Sequence, residues 1–132
     1  MKSFEELHQA AMEAYYKAYF GKRRQELDES TIQMYFQEAF GFEKEAVMSI
    51  LHNPDYDKLR AVYCRSAANL AYEVGAYTDV EFFVAHGLLN SPSEEVQTDL
   101  RQLYLQTLKA LKKQATATKK TTAKSTKPRK KV

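Results

Sequence analysis

Residues 64–92 constrain the fold of this chain more than any other stretch, because small and apolar residues recur there at helical spacing on both sides of a glycine. Three- and four-residue steps are typical of one face of an α-helix. Gly75 marks a turn between the two patterns, and Pro92 prevents the second helix from continuing. The stretch predicts two antiparallel helices, with inward positions at Leu59, Val62, Tyr63, Ser66, Ala67, Leu70, Ala71 and Val74, and then at Val80, Phe83, Val84, Gly87 and Leu88.

The same periodicity runs through the rest of the chain up to residue 111 and predicts an all-α protein of about five or six helices. A first helix is predicted from about 3 to 20, opened by the capping-box spacing of Ser3 and Glu6 and stopped by Gly21 in a left-handed conformation. Helices two and three are predicted from Thr31 and from Phe42, with a break at Gly41. The alternative is one continuous helix through Gly41, at a cost of about 1 kcal/mol. The last helix is predicted to begin near Ser93. Its inward-facing positions are predicted to be Val96, Leu100, Leu103, Tyr104, Thr107, Leu108 and Leu111.

Within stretch 64–92, small or apolar residues and a proline recur at Cys64, Ala67, Ala68, Ala71, Val80, Val84 and Pro92. These are the pattern positions of a tetratricopeptide repeat, which the stretch resembles. Three of them, Cys64, Ala67 and Ala71, are smaller than the family pattern expects. A shift of 34 residues pairs Gly75 with Gly41 and His86 with His52, which suggests a second, more divergent copy at about 30–57. The resemblance implies antiparallel hairpins stacked as a short right-handed superhelix, and an unrelated helical bundle is the alternative fold.

The resemblance also implies where a partner binds. In tetratricopeptide proteins the first helix of each repeat lines a concave groove, where a basic residue followed four positions later by Asn can hold a peptide carboxylate. Arg65 and Asn69 match those positions, Tyr72 lies one step further, and Tyr35 is the aromatic contact from the second copy. The predicted function is a non-enzymatic scaffold that binds a protein or peptide. The alternative is that Arg65 and Asn69 are ordinary surface residues.

Charge divides the chain in two. Residues 112–132 hold nine basic residues and no acidic one, which leaves 11 basic against 17 acidic residues in 1–111. We therefore predict a helical domain at 1–111 and a disordered tail at 112–132, because the tail has too little apolar surface to fold. The tail supports an alternative function, sequence-independent binding of DNA or RNA. It could equally contact the acidic domain or serve solubility. The nucleic-acid candidates are Lys119, Lys120, Lys124, Lys127, Arg129, Lys130 and Lys131.

No motif for catalysis, phosphate binding or metal binding is found, so we predict no enzymatic activity, no cofactor and no metal. His8, His52 and His86 lie far apart in sequence, the single Cys64 is read as a buried thiol, and acidic pairs such as Glu43 and Glu45 are read as solvated residues near helix ends. No apolar run reaches the roughly 18 residues of a membrane span. Without a signal-peptide pattern, we expect a cytoplasmic protein with no membrane partner, or a nuclear or nucleoid one if the tail binds DNA. A homo-oligomer remains a third alternative.

Overall fold

The computed structural model describes residues 2–126, with side chains up to Thr118. Within that range the chain is all-helical and contains no strand, which confirms the predicted fold class. Five α-helices cover α1 Phe4–Arg23, α2 Glu29–Ile50, α3 Asp57–Glu73, α4 Tyr77–Gly87 and α5 Glu94–Thr126, and a 3-10 helix spans Pro54–Tyr56. None of the helices in this part of the chain has the length and apolarity that crossing a membrane requires.

The first hairpin is formed by α1 and α2, which pack against each other along their lengths. The predicted capping box opens α1: the Glu6 amide donates to Ser3 Oγ at 3.2 Å, and the Ser3 amide donates to Glu6 Oε1 at 3.1 Å. Contacts between His8 and Glu43 and between Tyr15 and Phe36 show that the two helices run antiparallel. The prediction of an early stop at Gly21 is wrong. Helix α1 continues through Gly21 to Arg23. The glycine allows a close approach of Leu27, whose side chain a Cβ at position 21 would overlap.

The second hairpin is formed by α3 and α4 and lies where residues 64–92 predicted it. Gly75 adopts a φ of +76° in the turn, a conformation that glycine tolerates far better than other residues. The small residues allow the two helices to approach closely. A Cβ added to Gly87 would lie 3.0 Å from Cys64 Cβ and 2.8 Å from Leu100 Cδ1. The inward side of α3 is therefore small because the backbone of α4 occupies the space.

The predicted break at Gly41 is wrong, and with it the hairpin proposed for residues 30–57. Helix α2 runs without interruption from Glu29 to Ile50, and Gly41 lies on its exposed side with no atom near the place of a Cβ. The penalty for glycine inside a helix is about 1 kcal/mol relative to alanine. Burial of Phe40 and Val47 on either side contributes more than that, about 1.5–3 kcal/mol for each large apolar side chain.

The hairpins pack against each other through α2 and α3, and α5 covers α3 and α4. Phe40 of α2 meets Phe83 of α4 edge to face, with ring centroids 6.3 Å apart. At the start of α3 the buried Arg60 donates from Nη1 to Asp57 at 2.7 Å, and Asn90, beyond α4, donates to the other Asp57 oxygen at 3.0 Å. Most predicted inward residues are buried, but Val62 and Leu108 are exposed.

Helix α5 extends past the boundary predicted at residue 111 and continues to Thr126. The first part of the predicted disordered tail is therefore helical in the structure. The sequence from Glu94 to Thr126 contains neither glycine nor proline and is rich in Lys, Ala and Gln, which favour helices, so nothing in it ends the helix. The remaining tail candidates, Lys127, Arg129, Lys130 and Lys131, lie outside the described residues.

Candidate functional site

A groove lies between α1 and α3, the first helices of the two hairpins. One part of it, about 260 Å³, is lined by Met12, Tyr15, Ser66, Asn69, Leu70 and Glu73. A second part, about 460 Å³, is lined by Tyr15, Tyr19, Lys22, Arg23, Phe36 and Glu73. Tyr15 and Glu73 line both parts, so the two parts adjoin, and we call them together the α1–α3 groove.

The chemical character of the groove changes from one part to the other. Met12 and Leu70 give an apolar section, Asn69 adds an exposed amide, and Lys22 and Arg23 place two cations at the end of α1. Tyr15 lies between these sections, and its pKa is raised by partial burial and by the neighbouring Tyr19 and Glu73. The Tyr15 hydroxyl is therefore protonated at neutral pH and available as a hydrogen-bond donor.

Beneath the groove lies a buried carboxylate, where the sequence predicts a solvated one. Glu43 is fully buried in the middle of α2, and His8 Nδ1 lies 2.8 Å from each of its carboxylate oxygens. Tyr63 of α3 stacks on the His8 ring with centroids 4.2 Å apart. Ser66, which lines the groove above, contributes a further side-chain hydrogen bond to Glu43. Residues from α1, α2 and α3 thus meet at one carboxylate.

Burial raises the pKa of Glu43, and the hydrogen bonds from Ser66 and His8 offset this only in part. Glu43 had been read as a solvated residue near a helix start because Gly41 was expected to break the helix. In a continuous helix, Glu43 falls on the same stripe as Phe36, Phe40, Val47 and Ile50. That stripe was the signal that could have identified Glu43 as buried.

The predicted contact residues do not form a single site. Arg65 Nη1 donates to Asp99 at 3.0 Å and lies 3.9 Å from Glu95, so its guanidinium joins α3 to α5. Asn69 lines the α1–α3 groove, and its Nδ2 donates to the Arg65 carbonyl at 3.0 Å. Tyr72 packs against Tyr77 of α4 with ring centroids 5.7 Å apart. Tyr35 lies on a separate surface with Tyr16 and Lys17.

The side chains of the α1–α3 groove can form hydrogen bonds and apolar contacts with a bound molecule. Cys64 is buried, and desolvation raises the pKa of its thiol to about 12, which makes it a poor nucleophile. Among residues 2–126 no three His, Cys, Asp or Glu side chains lie where they could share a metal ion.

Comparison with known proteins finds no matching family model, no similar curated protein and no matching solved structure.

Proposed function

We propose that this protein is a non-enzymatic scaffold whose α1–α3 groove binds an extended peptide segment of a partner protein. The observation that carries the proposal is that two adjoining cavities, of about 260 and 460 Å³, meet at Tyr15 and Glu73 and together offer apolar and charged side chains to one ligand. Binding sites of this kind combine an apolar surface with a few placed polar groups. The resemblance to tetratricopeptide repeats supports a binding groove lined by the first helix of each hairpin. The cations proposed to bind the peptide carboxylate are those of α1, in place of Arg65.

The groove indicates the chemistry of the peptide. Met12 and Leu70 favour an apolar side chain, and Lys22 with Arg23 favours a carboxylate further along. Arg65 is engaged by Asp99 and Glu95, so the carboxylate is assigned to the cations of α1 instead. We expect a segment with an apolar residue followed or preceded by an acidic one.

Selection of peptides from a random display library on the intact chain provides the test. We expect the Arg23→Gln and Tyr15→Ala variants to weaken binding of the selected peptides about tenfold, the effect of a central contact residue. Arg101→Gln, an exposed arginine change on α5, is the matched control and should leave affinity unchanged. Selected peptides that bind both groove variants as tightly as the parent chain would place the site elsewhere.

A second candidate function, binding of a nucleic-acid backbone, is supported by the length of α5. At 100° per residue, helical positions 109, 112, 113, 119, 120 and 124, all lysines, fall within roughly 140° of arc around the axis. Lysine positions that share one arc of a helix suit a row of phosphates, so the affinity for duplex DNA should fall steeply with salt.

Deleting residues 112–132 should therefore remove most duplex binding and flatten its salt dependence. Titration of a labelled DNA duplex at two salt concentrations, with the intact and the shortened chain, checks this. Equal binding by both chains would exclude the C-terminal part of α5 as the contact.

A further inference from the structure

A second surface on the first hairpin carries exposed aromatic rings among cations. It consists of Tyr16, Lys17, Phe20 and Arg24 of α1 with Tyr35 of α2, and we call it the aromatic–basic face. These residues border a shallow cavity of about 500 Å³ that shares no lining residue with the α1–α3 groove. Tyr16 is 52% exposed and Phe20 41% exposed, although large aromatic rings usually contribute to the core.

The rings are ordered with respect to one another. Tyr16 and Phe20 lie one helical turn apart, with centroids separated by 6.0 Å and planes only 28° from parallel. Tyr19, which is 40% exposed, meets Phe20 edge to face at 5.3 Å. The exposed fractions of Tyr16 and Phe20 leave part of each ring accessible at the surface of α1.

The cations of the aromatic–basic face are not neutralised by ion pairs. Lys17 Nζ lies 5.7 Å from the centroid of Tyr35, and Arg24 lies 5.3 Å from that of Phe20. Glu13 and Glu26 also border the cavity. Among the described side chains, the ion pairs formed involve His8, Lys44, Arg60 and Arg65, and none involves Lys17 or Arg24.

We infer that the aromatic–basic face binds single-stranded RNA or DNA. Exposed rings stack with unpaired bases of any sequence, and nearby cations contact the phosphates. A duplex can place its phosphates against the cations, but its bases are already stacked on one another and cannot stack on the rings. An acidic peptide can also place carboxylates against the cations, but it lacks a flat ring at each residue that could stack on Tyr16 and Phe20. The inference is independent of the peptide groove and of the lysines of α5.

The test uses the full chain and a fluorescein-labelled 15-mer of deoxythymidine, followed by fluorescence anisotropy. We expect the double variant Tyr16→Ala and Phe20→Ala to raise the Kd for this strand at least about tenfold, because base stacking on aromatic residues contributes substantially to such binding. The Kd for a duplex of equal length should change less than about twofold, because duplex binding depends on the positive charges of the protein and not on its exposed rings. Met34→Ala with Met48→Ala, two exposed apolar side chains on α2, is the matched control and should change neither value.

A second variant tests the charges separately. Lys17→Gln with Arg24→Gln should weaken binding of the single strand and reduce the slope of log affinity against log salt by about one to two. The inference is overturned if the intact chain does not bind the 15-mer at low salt, or if the ring variant binds it as the parent does. It is also overturned if the ring variant lowers single-strand and duplex affinity equally, or if it converts a dimer into a monomer in a molar-mass measurement, which would make this face an interface between copies.

Discussion

Replacing Phe83 with alanine is expected to lower the free energy of unfolding by about 3–5 kcal/mol, the usual cost of removing a fully buried aromatic side chain. Phe83 has no exposed surface and packs edge to face with Phe40. It therefore joins α4 of the second hairpin to α2 of the first, and its loss leaves a cavity where the two hairpins meet. Urea denaturation followed by circular dichroism measures the change.

The neighbouring Phe82 provides a matched control. It is 36% exposed and makes local ring contacts with Phe83 and His86, at centroid distances of 5.2 and 4.3 Å. Phe82→Ala should cost clearly less, about 1–2 kcal/mol, because more than a third of the side chain is already exposed to water and its ring contacts stay within α4. Equal losses for the two variants would mean that α4 is rotated about its axis relative to the structure described here.

The positions of the helices could be predicted from the sequence wherever apolar spacing and a terminating signal agree. Ser3 with Glu6 at the start of α1 and Gly75 between α3 and α4 are such places. Gly21 and Gly41 gave the wrong boundaries, because glycine alone does not distinguish a helix end from a close contact or from a tolerated interior position. Which of the three applies depends on the surrounding packing, and that packing involves residues distant in sequence, such as Leu27 for Gly21.

The candidate site was less predictable than the fold. Asn69 was chosen by its position in a repeat pattern and lines the α1–α3 groove, and its contact with a partner stays a prediction. The pattern could not show that Arg65 is engaged by Asp99, 34 residues later, because ion pairs between helices depend on how the helices pack. Tyr35 was assigned to the same groove through a repeat copy that the continuous helix α2 does not contain, and it lies on the aromatic–basic face instead.

Replacing His8 with alanine should destabilise the fold by about 3 kcal/mol at neutral pH, because it removes the main partner of a buried carboxylate. Removing one partner of a buried carboxylate is costly, since the carboxylate is left with hydrogen-bonding capacity that water cannot meet. Glu43 has no exposed surface, and without His8 only the hydrogen bond from Ser66 remains to it among the partners described. His52→Ala is the control, because His52 is exposed in the turn after α2 and should cost less than about 0.5 kcal/mol.

The loss caused by His8→Ala should depend on pH in a direction fixed by Glu43. Burial raises the pKa of Glu43 above its ordinary value of 4.5, so the folded chain holds this proton at a higher pH than the unfolded chain does. The stabilising contribution of the protonated carboxyl is fully present below pH 4.5 and is lost as pH rises through the raised pKa of the folded state. Removing His8 takes away a group that lowers this pKa, which widens that pH window upward. The destabilisation by His8→Ala should therefore be smaller at pH 5 than at pH 7.

Adding Glu43→Gln to the same chain should restore stability at pH 7, because a neutral amide leaves no buried charge. A loss that is equal at both pH values and unrelieved by Glu43→Gln would assign the effect to the stacking of His8 on Tyr63 instead of to the carboxylate.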